Sequence, residues 1–173
     1  VFPTTFSGDP YLYVIYGRLY GLQGINPYFM PSPIDPGKDI ILIQCLRFYG
    51  NPPVLDHYGP LWTLVLGLVE NIERNVPLWW HIWTFRVLAV AAAIAASAGL
   101  LRLQTKAGAN AALRRVAMFA FHPLVLYECA VGGHNDMIMI ALAVWAFALA
   151  DSLPLVAGLL LGASIATKYM SFI

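Results

Sequence analysis

Long apolar runs, most of them after residue 77, constrain this chain more than any other feature. Of its 173 residues, 60% are hydrophobic and only 11% are charged, whereas a soluble domain carries about 25% charged residues. Because so few polar side chains cannot cover such runs in water, we expect an all-α, polytopic membrane protein. The formal net charge of +1 gives no reason to expect a nucleic acid partner.

Residues 1–76 differ from the rest because they hold many prolines and most of the acids. We expect an extracytoplasmic loop with interfacial helices at 10–21, 38–49 and 61–72, and a proline-rich loop at 24–36. Asp9 is the predicted N-cap of the first helix, and Pro10 its first residue. A place at the membrane interface is expected for the tyrosines of this helix, which are Tyr11, Tyr13, Tyr16 and Tyr20.

Residues 77–173 form the predicted membrane domain. Apolar segments cover 77–101, 113–131 and 137–150, and a fourth begins at Pro154, with Asp151 or Ser152 as its cap and Lys168 inside it. Several are shorter than the ~20 residues that a helix needs to cross the hydrocarbon core. The chain starts without Met and ends inside an apolar run, so we interpret it as a fragment that lacks an N-terminal anchor and a C-terminal remainder.

The basic residues of the short loops predict the orientation. Residues 102–115 hold four of them without a single acid, whereas residues 1–76 hold four against six acids. The positive-inside rule therefore places 102–115 in the cytoplasm and 1–76 on the exoplasmic side of the plasma (inner) membrane. Counting the crossings from there brings several polar residues to the exoplasmic face: Asp9, Tyr58, His134, Asp136 and Lys168.

A polar stretch at 132–136, with the sequence GGHND, separates two apolar segments. Ionisable side chains at a membrane edge are costly unless they are paired or used, so this stretch is a candidate site. The alternative is a plain tight turn, for which its two glycines would supply positive φ. A metal site on His134 and Asp136, with His57 as a third ligand, is a weaker alternative because the spacing matches no metal motif. We therefore expect no cofactor.

Three other residues have two interpretations each. Asp9 caps a helix or acts as a base, and both roles are compatible because a capping carboxylate keeps one oxygen available. Lys168 either snorkels to the interface or binds phosphate at the membrane edge. Arg86 lies inside an apolar segment, so it needs an anionic substrate or an acidic neighbour such as Glu128.

Several motifs follow one another along most of the chain. In the first loop they are DPY at 9–11, YGR at 16–18, GINPY at 24–28 and YGPLW at 58–62. Later they are HPLVLYE at 122–128, GGHND at 132–136 and ATKY at 166–169. In this order they resemble the C-type (GT-C) integral membrane glycosyltransferases, and in particular the bacterial polyprenyl-phosphate-mannose-dependent mannosyltransferases.

The resemblance implies a membrane enzyme of the cell envelope with its active site on the exoplasmic side. Such an enzyme transfers a sugar, with mannose favoured, from a polyprenyl phosphate to a lipid or glycan acceptor, so that its partners are this donor, this acceptor and membrane lipids. The resemblance also implies that Asp9 is the acidic residue of the first loop and the catalytic base. Many relatives carry a paired acid motif there, whereas Gly8 and Tyr11 flank Asp9-Pro10 in this chain and leave one carboxylate.

The residue roles follow from this chemistry. Polyprenyl phosphate is a good leaving group, so the reaction needs a base and cations that stabilise the departing phosphate, but no general acid. Asp9 is the expected base of an in-line displacement that inverts the anomeric centre. The expected substrate-binding residues are Arg18, Arg86 and Lys168 at the phosphate, Tyr58 along the sugar or lipid path, and His134, Asn135 and Asp136 at the phosphate or the sugar hydroxyls.

A secondary transporter is the alternative function, with broken helices whose charged ends form a binding site. The proline- and tyrosine-rich outer segment of 76 residues is larger than the short loops that a carrier requires. A purely structural membrane subunit is a third class, and it gives no reason for polar groups to converge on one face.

Overall fold

The computed structural model describes residues 7–29, 33–51, 53–103 and 108–169. Within these ranges the secondary structure is helical and contains no strand, so the predicted all-α class is confirmed. Lys106, one of the four basic residues of the predicted cytoplasmic stretch 102–115, and residues 170–173 of the last predicted segment lie outside the described residues. The chain forms two compact units, which divide between Phe85 and Arg86 inside a long helix.

Helices predicted from the sequence account for most of the structure. The first unit contains α1 (Asp9–Gln23), a 3₁₀ turn (Pro27–Phe29), α2 (Ile40–Tyr49), α3 (Pro60–Ile72) and the start of α4 (Leu78–Leu103). The second contains the rest of α4, then α5 (Ala109–Ala120), α6 (Pro123–Leu126), a π-helical segment (Tyr127–Gly132), α7 (Asp136–Leu149) and α8 (Pro154–Thr167). The helices predicted at 10–21, 38–49, 61–72, 77–101 and 137–150 are confirmed to within a few residues.

Helix α1 is the centre of the first unit, because its residues from Pro10 to Leu19 are buried. It packs closely against α3 at Gly17. A Cβ atom at this position would lie 2.7 Å from the carbonyl oxygen of Leu66, so a larger residue would force the two backbones apart. The glycine therefore sets the distance between α1 and α3.

The tyrosines of α1 form an aromatic core rather than a membrane belt. Tyr13 and Tyr16 are fully buried, Tyr11 is buried, and Tyr20 is exposed. The ring of Tyr13 makes edge-to-face contacts, each at a centroid distance of 5.2 Å, with Tyr58, Trp62 and Phe85. The prediction of four interfacial tyrosines is therefore wrong for Tyr11, Tyr13 and Tyr16, because these rings are covered by other parts of the same unit.

A fully buried carboxylate, Glu70 of α3, connects three helices of the first unit. Its Oε2 accepts a hydrogen bond of 3.0 Å from Nη1 of Arg18 in α1, and its Oε1 lies 2.9 Å from Nδ1 of His81 in α4. The other ring nitrogen of His81 lies 3.2 Å from the carbonyl oxygen of Val76, so both ring nitrogens face acceptors. Burial raises the pKa of Glu70, although hydrogen bonds and charges from His81 and Arg18 oppose that shift.

Within the described residues one helix, α4, is long and apolar enough to cross a membrane. Side chains of α7 and α8 donate hydrogen bonds of 2.8 Å to backbone carbonyls of neighbouring helices: Trp145 Nε1 to Ala95, and Ser164 Oγ to Met139. Both α7 and α8 have 14 residues, which correspond to about 21 Å, against a hydrocarbon core of about 30 Å. The polytopic arrangement therefore stays a prediction.

The prediction of a continuous segment at 113–131 is wrong, because the helix breaks before Pro123. A proline disfavours the helical conformation of the residue before it, and His122 has an extended ψ of 130°. The imidazole of His122 accepts a hydrogen bond of 3.2 Å from the N–H of Leu124 and thereby caps α6. Uniformly apolar flanks conceal this break in the sequence.

Two expectations for the last helix are also wrong. The N-cap of α8 is Leu153, which makes no side-chain capping bond, rather than Asp151 or Ser152. Lys168 is not inside the helix, because α8 ends at Thr167 and Lys168 follows in an extended conformation (φ −156°, ψ 129°). From this position its ammonium group reaches Asp136 at the start of α7.

We predict that Glu70→Ala lowers the free energy of unfolding by about 3–5 kcal/mol, since it leaves a buried guanidinium and a buried imidazole without their shared acceptor. Denaturation of the purified protein in mixed micelles measures this change. The control is Asp35→Ala, which removes an exposed carboxylate whose contact is a local bond to the N–H of Gly37. Equal losses in the two variants would contradict the role assigned to Glu70.

Candidate active site

The polar stretch at 132–136 follows an unusual backbone. The π-helical segment Tyr127–Gly132 ends at Gly133, which adopts the left-handed conformation with φ of 65°. The N–H of His134 then donates to the carbonyl oxygen of Glu128 at 3.1 Å and closes a wide turn. The expected positive φ is thus confirmed for Gly133 and not for Gly132. Short π-helical turns are frequent at functional sites, because they aim side chains in directions that an α-helix does not allow.

The turn pairs His134 with an acid that the sequence did not assign to it. Nδ1 of His134 makes a hydrogen bond with Oε2 of Glu128, and the two side chains are 16% and 23% exposed. The two residues are six positions apart, a spacing that brings no side chains together on an α-helix. The π-helical turn therefore brings the two side chains together. The helical periodicity of the sequence did not predict this pair.

Asp136 and Lys168, both predicted site residues, form an ion pair. Nζ of Lys168 donates to both carboxylate oxygens of Asp136, at 2.8 and 2.9 Å. Asp136 begins α7, where the positive end of the helix dipole favours a negative charge, and Lys168 directly follows α8. The antiparallel packing of α7 and α8 thus brings together two charges that lie 32 positions apart in the sequence.

Arg86 and Asn135 border the same turn. Nη2 of Arg86 donates a hydrogen bond of 3.2 Å to the carbonyl oxygen of Val131, near the end of the π-helical segment. Asn135 is fully buried and is the N-cap residue of α7. The structure therefore gathers five predicted site residues of the second unit around one segment of backbone: Arg86, His134, Asn135, Asp136 and Lys168.

Three side chains of this turn offer ligand atoms for a cation. One atom each from Glu128, His134 and Asp136 lies within 4.8 Å of the others. Both carboxylates already have partners, so a cation would compete with Lys168 for Asp136 and with the His134 ring for Glu128. His57, the third ligand of the sequence hypothesis, belongs to the first unit, where its ring lies 4.3 Å from that of Tyr58.

In the first unit, Asp9 and Tyr58 come together. The hydroxyl of Tyr58 is buried, and Asp9 and Tyr13 are close enough to act on it electrostatically. Burial, with the neighbouring charges of Tyr13 and Asp9, raises the pKa of Tyr58, so the hydroxyl stays protonated. Asp9 is the first residue of α1 and Gly8 is its N-cap, so the predicted N-cap is wrong by one position.

Arg18 lies away from this pair. Nine residues along an α-helix give a rise of about 13.5 Å and half a turn, so Asp9 and Arg18 are on opposite sides of α1. Nε of Arg18 donates to Asp39 Oδ2 at 2.7 Å, and Nη2 donates to the carbonyl oxygen of Arg74 at 3.2 Å. The structure thus separates two residues that the sequence analysis assigned to one reaction.

The whole chain, residues 1–173, matches the MptA/MptB family model, described as alpha-(1->6)-mannopyranosyltransferase, N-terminal domain. The chain belongs to this family. The match confirms the resemblance to bacterial mannosyltransferases of the GT-C type. No curated protein and no solved structure matches the chain.

Membership of the alpha-(1->6)-mannopyranosyltransferase family supports mannosyl transfer as the activity, and with it a sugar donor and a sugar acceptor. The family also suggests a membrane enzyme, and α4 is a helix of sufficient length and apolarity.

Proposed function

We propose that this protein transfers mannose from a polyprenyl-phosphate donor to a lipid or glycan acceptor on the exoplasmic side of the plasma membrane. The position of Asp9 carries the proposal, because the single carboxylate of the predicted first loop lies at the start of α1 and close to the buried Tyr58. The excess of basic residues at 102–115 supports the exoplasmic orientation of both Asp9 and the turn at 132–136.

Asp9 has the surroundings of a general base. It is the first residue of α1, at the positive end of the helix dipole, and the buried Tyr58 is close to it. In the proposed step, the Asp9 carboxylate takes the proton of an acceptor hydroxyl, whose oxygen attacks the anomeric carbon of mannose. The bond between that carbon and the phosphate oxygen breaks, and polyprenyl phosphate leaves with the electron pair. Attack opposite the leaving group inverts the anomeric centre.

The second unit supplies groups suited to the donor. Lys168 and Arg86 are the proposed ligands of the departing phosphate, whose growing negative charge a fixed cation stabilises. Asp136 holds the Lys168 ammonium through both of its oxygens, which fixes that charge before the substrate binds. His134 and Asn135 are the proposed contacts to phosphate or sugar hydroxyls, and Glu128 orients the His134 ring.

Two further roles belong to the first unit. Tyr58 is the proposed contact along the sugar or lipid path. Arg18 stays a predicted phosphate ligand, but of a phosphate separate from the one that departs beside Asp9, because Arg18 lies on the opposite side of α1. The proposed step needs no general acid, because phosphate is a good leaving group, and we propose no cofactor for it.

We predict that Asp9→Asn lowers the transfer rate by about 10²–10⁴-fold, the range of a lost general base. Tyr58→Phe should cause a smaller loss, because the Asp9 carboxylate remains and only a neighbouring hydroxyl is removed. The assay follows labelled mannose from a polyprenyl-phosphate donor in membranes that hold equal amounts of each variant. The exposed acid Asp35 provides the control, Asp35→Asn, which should keep full activity. Full activity of Asp9→Asn would show that another group is the base.

Lys168→Ala is expected to raise the KM for the polyprenyl-phosphate donor by about tenfold, because the ammonium contacts the departing phosphate in the proposed step. The KM for the acceptor should stay nearly unchanged, because the ammonium does not contact the acceptor. Steady-state kinetics with each substrate varied in turn separates the two values. Arg114→Ala, which removes an exposed cation of α5, is the charge-matched control. Equal effects on both substrates would contradict the assignment.

A further inference from the structure

A cavity of about 680 Å³ in the first unit opens beside the end of α1 and the start of α2. Its wall includes three cationic side chains, Arg18, Lys38 and Arg74, against one carboxylate, Asp39. The volume lies within the range of about 300–1,000 Å³ that is typical of small-molecule sites. It is therefore large enough for a charged group together with part of the molecule that carries it.

The single carboxylate of the cavity does not oppose an incoming anion. Oδ2 of Asp39 accepts from Nε of Arg18 at 2.7 Å, and Oδ1 accepts from the N–H of Leu42 at 3.0 Å as the cap of α2. Both oxygens of Asp39 thus already have donors. In the described part of the chain, the side chains of Lys38 and Arg74 have no ion-pair partner, so the cavity wall keeps two positive charges that no carboxylate neutralises.

Backbone donors add to this charge. Ile40 and Ile41 line the cavity and are the first two residues of α2. The N–H groups of a first helical turn have no acceptor within their helix, and together with the helix dipole they favour phosphate. Two amide side chains, Gln23 and Asn75, supply further polar atoms in the wall.

Arg18 makes the cavity rigid rather than adaptable. Its side chain is 5% exposed, and its three nitrogens donate to Asp39, to Glu70 and to the carbonyl oxygen of Arg74. These bonds connect α2, α3 and the segment that holds Arg74 at fixed positions around the cavity. The backbone that carries Lys38 and Arg74 is therefore fixed before a ligand binds, which lowers the entropic cost of binding.

We infer that this cavity binds the phosphate group of a phosphate ester, at a second site distinct from the Asp9 base. Two positive charges in excess match the charge of a phosphate, and an arginine fork and a lysine ammonium are the side chains that recognise it. Asp9 lies about 13.5 Å along α1 and on the opposite side of that helix, so the same phosphate does not reach it. The inference does not depend on the transfer reaction, because it concerns binding alone.

Two probes test this site in the full-length protein and distinguish the source of the phosphate. Glycerol 3-phosphate, a soluble ester, is titrated by calorimetry into protein held in phosphatidylcholine nanodiscs. The second probe is phosphatidylglycerol, a lipid whose head group carries the phosphate ester. The protein is released from nanodiscs of equal parts phosphatidylcholine and phosphatidylglycerol, and native mass spectrometry measures how much phosphatidylglycerol stays bound to it.

The test variant is Lys38→Ala combined with Arg74→Ala, and the control is Arg47→Ala combined with Arg114→Ala, which removes two exposed cations elsewhere. We expect the test variant to bind at least one probe about tenfold or more weakly, and the control to bind as the unchanged protein does. A loss for glycerol 3-phosphate assigns the site to soluble esters, and a loss for the lipid alone assigns it to head groups. The combination of Lys38→Arg with Arg74→Lys should retain binding.

Two results would overturn the inference: saturable binding of neither probe by the unchanged protein, or equal weakening in the test variant and the control. Asp9→Asn should bind both probes normally. Failure of the transfer mechanism is therefore distinguishable from failure of this site.

Discussion

The first unit depends on one buried carboxylate. Glu70 has no exposed surface, and a lone charge there would cost several kcal/mol, so its position requires Arg18 on one oxygen and His81 on the other. These contacts place α1, α3 and the start of α4 at set distances. They also immobilise the guanidinium that frames the cationic cavity. A charge that must be neutralised thus determines both the packing of three helices and the shape of a site.

The same rule acts around the π-helical turn of the second unit, where the charged side chains are paired. Lys168 neutralises Asp136, and His134 binds Glu128. Both pairs involve residues around a π-helical turn, which follows the break at Pro123. The backbone irregularity and the charged side chains occur together, as expected where a helix is distorted to present polar groups. The apolar core around this turn is built from α4, α6, the π-helical segment and α7.

The sequence predicted the helices well because their signals are local. Pro10, Pro60 and Pro154 each begin or nearly begin a helix, and Gly24 ends one in a left-handed conformation. The break at His122 was missed because its flanks are apolar on both sides, and hydropathy does not distinguish a bent segment from a straight one.

The side-chain contacts of the candidate site were less accessible to sequence analysis. Asp136 and Lys168 were expected on one face of the membrane, but the ion pair between them was not predicted. The pair between Glu128 and His134 joins side chains six residues apart, which the π-helical turn brings together. The separation of Arg18 from Asp9 could have been inferred, because nine residues on a helix always make half a turn. The burial of Tyr13 and Tyr16 depends on α3 and α4, which lie far away in the sequence.

Thiol accessibility tests the central claim of an exoplasmic site most directly. Asp9→Cys and His134→Cys are introduced singly into a background of Cys45→Ser and Cys129→Ser, which removes the two natural thiols, both of them buried. Intact cells are then treated with a membrane-impermeant maleimide, before and after permeabilisation. If the site is exoplasmic, both positions react from outside in intact cells. Reaction of one position only after permeabilisation would place Asp9 and His134 on opposite faces of the membrane and contradict this claim.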